Sequence, residues 1–281
     1  MPEGGHRPLA VIAAPNGARL DKTGHPAVPL TTMEIADCAA ELADSGVSIL
    51  HLHVRDDRGR HVLDAERYRR AMDAIRDRVG DRLVLQATTE AVGLYDRCQQ
   101  MALVRELKPE AVSLALRELC PDPEAEAEAG AFFRELVELG IWPQYILYTA
   151  DEAARFERLR QAGIFGATRP FALFVLGRYS DSLEGDPGEL DAFLAAFEPG
   201  AFPWAVCCFG PAEPAAVQRA AALGGHVRIG FENNRFLPDG TVARNNAQLV
   251  ASELALLQGT RASRRPIATA DWVRTQLAGQ R

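Results

Sequence analysis

Residues 49–56 read ILHLHVRD, and the two histidines spaced two apart in it, His51 and His53, can hold a divalent ion or carry a proton. The run is apolar and predicts a strand over 48–54. Residues two apart on a strand share a face, so His51 and His53 look one way while Leu50, Leu52 and Val54 look the other. Two neutral imidazoles about 6 to 7 Å apart along such a face can converge on one ion, since Zn–N bonds are about 2.0 to 2.1 Å. Taken alone, the pair fits equally well two buried histidines that only hydrogen-bond.

The stretch HVRIGFENN over 226–234 favours the metal. Alternation sets Val227, Ile229 and Phe231 on one face and His226, Arg228, Gly230 and Glu232 on the other. Glu232 can then complete a His-His-Glu set wherever the two strands lie close. A simple charge pair between Arg228 and Glu232 is the alternative, and it explains less. Two further runs add hydroxyls: RLVLQATTE places Thr88 on a face with Val84 and Gln86, and AVSLAL places Ser113 between Ala111 and Ala115. Each hydroxyl alone would most often serve a backbone hydrogen bond. Together, at strand ends, they line a cavity.

These residues need elements that bring them together. Eight β-rich runs cover 9–14, 48–54, 82–88, 110–116, 143–148, 171–176, 203–208 and 226–231. Helical spacing falls between them, at 31–46, 65–79, 94–106, 123–139, 151–162, 188–197, 212–223 and 243–257. The first helix is the clearest: Thr31 and Glu34 predict a capping box, and Gly46 stands at its end. Eight such units suit a (β/α)8 TIM barrel of about 250 residues, read here as one domain over 1–281. An open doubly wound sheet is the rival, but no GxGxxG follows the first strand. In a barrel the helices cover the outer face, which turns His51 and His53 inward near the mouth. Strand eight then closes onto strand one, beside strand two, and brings Glu232 to the pair.

The 281 residues are 47% hydrophobic and 25% charged, with 31 Lys and Arg against 38 Asp and Glu, for a formal net charge of −7. That balance argues against nucleic acid as a main partner. No apolar run reaches the roughly 18 residues of a membrane span, and MPEGGHRP lacks a secretion signal, so a cytoplasmic location is expected. The five cysteines show no CxxC spacing and are expected to be free thiols. A barrel hydrolase of the amidohydrolase type would need histidines on later strands, and none stands between His61 and His226.

The segments AAPNGARLDKTGHPAVP, GVSILHLHVRDDRGRHVLDAERYRRAMDAIR, QATTEAVG, FVLG, GGHVRIGFENN and NNAQLVA together resemble the β-keto acid cleavage enzymes over nearly the whole chain. The resemblance implies a zinc-dependent TIM barrel, usually a homotetramer, that condenses a β-keto acid with acetyl-CoA and releases acetoacetate and a new acyl-CoA. It implies His51, His53 and Glu232 as zinc ligands and Arg228 as a catalytic arginine, with Thr88 and Ser113 where the family has a serine and a threonine. Two departures remove carboxylates: Asn233 follows the zinc glutamate, and Ile146 aligns with a glutamate on strand five. Glu90 stands where the family usually has glycine, so it is either a replacement base or a solvated loop charge.

For the substrate, PNGAR puts Asn16 and Arg19 just beyond the first strand, and with Asn233 they are expected to meet it. The guanidinium of Arg19 would favour an anionic or neutral keto acid over an amino-bearing one, or else point to solvent or meet a CoA phosphate. The long polar loop in FVLGRYSDSLEGDPG is a reasonable place for the CoA ester. A barrel that binds zinc and a keto acid or acyl-CoA without turnover is the non-catalytic alternative.

Overall fold

The computed structural model describes residues 7–166, 169–180, 182–258, 260 and 264–279. Eight strands, β1 (Val11–Ala13), β2 (Ile49–Leu52), β3 (Val84–Thr88), β4 (Ala111–Ala115), β5 (Trp142–Leu147), β6 (Phe171–Leu176), β7 (Trp204–Cys208) and β8 (His226–Ile229), close into a barrel in chain order. All pairings are parallel, and β8 returns to β1 with Ile12 opposite Arg228. The helices are α1 (Thr32–Asp44), α2 (Ala65–Val79), α3 (Arg97–Leu107), α4 (Leu116–Leu119), α5 (Glu126–Glu138), α6 (Ala150–Gln161), α7 (Leu190–Leu194), α8 (Glu213–Ala222), α9 (Asn246–Leu256) and α10 (Ala270–Trp272). This is the expected (β/α)8 TIM barrel.

Strand alternation divides the core in two. Leu50, Leu52, Leu85, Val227, Ile229 and Phe231 pack outward against the helices. Ile12, Ile49, Val84, Trp142 and Phe171 pack inside with Val273 and Leu277 of the C-terminal segment. That segment closes the barrel's N-terminal end, where Arg274 donates to the carbonyls of Asp81 and Leu83 at 2.8 and 2.9 Å, just before β3. Burying each such aliphatic side chain contributes about 1.5 to 3 kcal/mol, so the last turns of the chain are part of the core.

The capping box of Thr31 and Glu34 forms, and α2 spans the expected 65–79 behind an Asp64 cap. Elsewhere the boundaries move for local reasons. The helix expected at 188–197 contracts to a 3-10 turn at Pro187–Glu189 and the five residues of α7. The one expected from 123 begins as a 3-10 turn capped by Asp122. α4 leaves β4 with no loop and is too short for its periodicity to show. β8 ends at Ile229, short of the expected 231, because Gly230 has φ +145° and a Cβ there would lie 2.3 Å from the Ala14 carbonyl oxygen. Glu232 therefore reaches the mouth from a turn, and His53 from just past the end of β2.

Behind that turn, the buried carboxyls of Glu213 on α8 and Glu253 on α9 lie together, with Asn234 Nδ2 donating to Glu213 Oε2 at 3.2 Å. Three of the four carboxyl oxygens have no donor partner among the described residues. Burial raises both groups; the charge of Glu253 raises Glu213 further, and Glu253 stands at about 7. An acid with a raised folded-state pKa stabilises fully below its unfolded pKa, near 4.3, and loses that contribution as pH rises towards the folded value. The melting temperature of wild type should thus fall more between pH 5 and 8 than that of Glu253→Gln, which keeps the shape and removes the charge. Equal slopes in paired thermal melts would mean the two carboxyls are not held neutral.

Candidate active site

β2 and the turn after β8 bring together, at the barrel mouth, three atoms that could hold a metal ion. His51 Nε2 lies 3.2 Å from His53 Nε2, and Glu232 Oε2 lies 3.5 and 3.4 Å from the two nitrogens. Both histidines are fully buried, at 1% and 0% exposure. Burial holds them neutral, with pKa values lowered to about 4 for His51 and about 3 for His53.

Their tautomers follow from what the other ring nitrogen meets. His51 Nδ1 sits 2.9 Å from Gln86 Oε1, an oxygen that only accepts, so Nδ1 carries the proton. His61 Nε2 faces the Glu90 carbonyl at 2.9 Å and must donate to it. His61 Nδ1 is then an acceptor, and His53 Nδ1, 3.4 Å away, carries its own proton towards it. Both Nε2 atoms are left with lone pairs. They point at each other and at Glu232 Oε2, which has no donor among the described residues. Three convergent lone pairs repel unless a cation lies between them. Ligands about 2.0 to 2.1 Å from a tetrahedral centre stand roughly 3.3 to 3.4 Å apart, so the spacing observed fits a divalent ion.

Glu232 is set by two neighbours. Arg228 Nη2 donates to its Oε1 at 2.8 Å, so the charge pair and the metal set use different oxygens of one carboxylate. Gly17, at φ +59°, lies so close that a Cβ would stand 2.5 Å from Glu232 Cγ, and only glycine fits there. Burial would raise the Glu232 pKa, but Arg228 and then His53 and His51 hold it well below the ordinary value. Arg228 is buried as well; burial acts to lower it, and the charge of Glu232, the hydrogen bond it accepts from Arg228 and other neighbouring contributions together more than offset this.

Around this centre stand the other expected residues. Ser113 Oγ lies 3.5 Å from His51 Nδ1, and Thr88 Oγ1 accepts from the Glu90 amide at 3.1 Å. Asn16 donates to the carbonyls of His53 and Pro29 and accepts from the His53 amide, so its polar atoms fix the His53 backbone. Asn233 Oδ1 accepts from Arg228 Nη2 at 3.2 Å. Glu90 is no solvated loop charge. Its Oε1 accepts from Arg19 Nη1 at 3.0 Å and faces Arg178 Nη2 at 3.6 Å, while Oε2 lies 3.8 Å from His53 Nε2. Burial, and then the charge of Glu232, raise its pKa.

Two hollows meet here. The inner one, about 20 Å³, is lined by His51, Thr88, Ser113, Arg228 and Glu232 among its polar residues and by Ala115, Ile146, Val175, Tyr148 and Phe209. The outer groove, about 460 Å³, opens between the loops after β1, β6, β7 and β8. Sequence reasoning missed His61, Gln86 as a histidine partner, and Arg178. A signal for His61 existed: DDRG is a turn, and Arg55 bridges His61 in an antiparallel pair that folds His61 back beside His53.

Residues 8–278 match the family model described as beta-keto acid cleavage enzyme. A 3-keto-5-aminohexanoate cleavage enzyme of Fusobacterium nucleatum is 31% identical over 96% of this chain and 97% of that protein. A 3-oxoadipate:acetyl-CoA acetyltransferase of Cupriavidus necator is 26% identical over 96% and 95% of the two chains. Among solved structures, apo ObcA superposes with a TM-score of 0.68 at 17% identity, covering 90% of this chain and 65% of that longer one. A type I 3-dehydroquinate dehydratase from Clostridium difficile superposes at 0.58 with 13% identity, over 90% and 93%. Both likenesses are of fold.

Proposed function

The chain belongs to the beta-keto acid cleavage enzyme family, and on that premise we propose that it is a zinc-dependent acyltransferase. It would take a β-keto acid and acetyl-CoA to acetoacetate and a new acyl-CoA. The observation that supports this most is the convergence of three lone pairs, on His51 Nε2, His53 Nε2 and Glu232 Oε2, at the wall of a cavity that also holds a buried guanidinium.

A divalent ion held by these three residues would act as a Lewis acid on the keto and carboxylate oxygens of the substrate. The chain's own groups supply the rest. Glu90 Oε2, beside His53, is placed to take a proton from the carbon between the two carbonyls. The carbanion attacks the thioester carbonyl and expels the CoA thiolate. The thiolate adds to the original ketone, the carbon–carbon bond breaks, and acetoacetate takes back the proton as the new acyl-CoA leaves. Arg228, Thr88 and Ser113 line the cavity where each carbonyl oxygen becomes negative, and are placed as donors to it. Asn233 cannot accept a proton in place of a carboxylate, which leaves Glu90 as the carboxylate beside the ligands that is free of the metal set.

The substrate's far end is neutral or anionic. Ala115, Ile146 and Val175 offer an ammonium no carboxylate, and Glu90 at the lip already faces Arg19 and Arg178. Acetoacetate release should be measured for a neutral keto acid, a keto dicarboxylate and an amino-keto acid, each with acetyl-CoA and the zinc-loaded protein. Turnover with either of the first two, abolished by chelation and reduced roughly 100-fold or more in Glu90→Gln, is the expected result. Wild-type preference for the amino substrate would overturn the specificity, and no turnover with any acid would leave the binding-only reading.

A further inference from the structure

The outer groove holds two groups that the metal site leaves unused. Asn233 is buried, its Oδ1 is occupied by Arg228, and its Nδ2 has no acceptor among the described residues. Arg235 lies two residues further along the same wall. Its Nη1 donates to the Gly24 carbonyl at 2.6 Å, and it faces no carboxylate among the described residues. Arg19 and Arg178, by contrast, share Glu90.

The groove meets the inner cavity at Glu90, Arg178, Phe209 and Glu232, which line both. Its lining also includes Phe231, Pro211, Phe236 and Arg235. The groove thus combines an amide donor adjacent in sequence to Glu232, apolar residues and a guanidinium. The groove's three arginines are matched by Glu90, Glu184 and Glu232, but Arg19 and Arg178 are taken up by Glu90, so Arg235 is the guanidinium of this wall left to meet a ligand with an anionic end. The fork of Arg235 suits phosphate oxygens better than a point charge would.

We propose that this groove binds the CoA thioester, with the acyl carbonyl beside Asn233 Nδ2 and the phosphates at Arg235. The assignment rests on the reading of the protein as an acyl-CoA-dependent enzyme. It gives Asn233 a role that a carboxylate could not fill. The amide N–H donates to the thioester oxygen as it gains charge, whereas an ionised acid there would repel it.

The test uses the zinc-loaded protein and two acetyl donors, acetyl-CoA and S-acetyl-N-acetylcysteamine, which lacks the phosphates. Arg235→Ala should raise KM for acetyl-CoA by roughly 10- to 100-fold, the worth of one hydrogen-bonded charge contact. KM for the truncated donor should change by less than about twofold on the same reasoning. Asn233→Ala should lower kcat with both donors alike. Calorimetric titration with CoA itself provides a readout without turnover, and its Kd should weaken in Arg235→Ala by the same factor as KM. Equal effects on the two donors, or an unchanged CoA affinity in Arg235→Ala, would overturn the assignment. If wild type turns over no keto acid yet binds CoA in an Arg235-dependent way, the reaction fails and the groove stands. Absence of CoA binding by wild type removes the groove.

Discussion

His51→Ala and His53→Ala are expected to lose both the divalent ion and turnover, with metal content falling from one ion per chain to near zero and kcat by at least about 1,000-fold. Removing a Lewis acid withdraws several kcal/mol of transition-state stabilisation, and each 1.36 kcal/mol is tenfold in rate. A subtler outcome separates a metal centre from two histidines that only pack. Without an ion, wild type holds three lone pairs within 3.5 Å of one another in a buried site. Poorly compensated polar groups in such a place cost stability. Chelated wild type should therefore melt no higher than His51→Ala, although the variant has lost buried atoms, and zinc should raise the wild-type melting temperature alone. If chelation leaves the wild-type melt unchanged while His51→Ala lowers it, the histidines are structural. Gln86→Leu is a graded control. It removes the acceptor that fixes the His51 tautomer and should weaken metal affinity roughly 10- to 100-fold.

That His51 and His53 point inward was legible from alternation, because a strand has a period of two and the barrel's helices cover one face. That Glu232 comes to the histidine pair was legible too, but by a rule that holds only part of the way. The strand stops at Ile229, Gly230 turns the chain, and the carboxylate is set by packing on Gly17 and by Arg228. No period in the sequence encodes that. The same limit hid His61, whose role depends on a hairpin, and Gln86, whose partner is on the neighbouring strand at register His51 to Gln86. Glu90 was legible as an unusual carboxylate but not as one clamped between Arg19 and Arg178, since those arginines come from the loops after β1 and β6. Loop side chains meet through tertiary geometry, and single-sequence patterns carry little of it. The C-terminal plug was missed for a different reason: a three-residue helix continuing into Val273–Ala278 is too irregular for a periodic signal.

The second large effect is expected at Arg228. Its Nη2 serves two acceptors at once, Glu232 Oε1 at 2.8 Å and Asn233 Oδ1 at 3.2 Å, in a side chain only 3% exposed. Its Nε is buried with no partner among the described residues, and the residue lines the inner cavity. One guanidinium thus has two kinds of work: its Nη2 orients the Glu232 carboxylate, and the group lines the cavity in which an oxygen can meet it. Lysine keeps the charge but places it at a single point on a flexible stem, and cannot serve both. Arg228→Lys should lower kcat by about 100- to 1,000-fold, the range for removing one preorganised donor to a developing oxyanion. Its zinc affinity should drop by the smaller factor of roughly 10 to 100 that follows loss of a ligand's orienting partner. The two losses can be told apart by assaying at saturating zinc, where the affinity defect disappears and the kcat defect remains. Arg228→Ala should be worse for the fold, since it leaves Glu232 buried without its cation at a cost of about 3 to 5 kcal/mol in the metal-free protein, much of which zinc should restore. A lysine variant that recovers near wild-type kcat once zinc is saturating would confine Arg228 to holding Glu232 in place. The oxyanion donors would then have to be found among Thr88, Ser113 and Asn233.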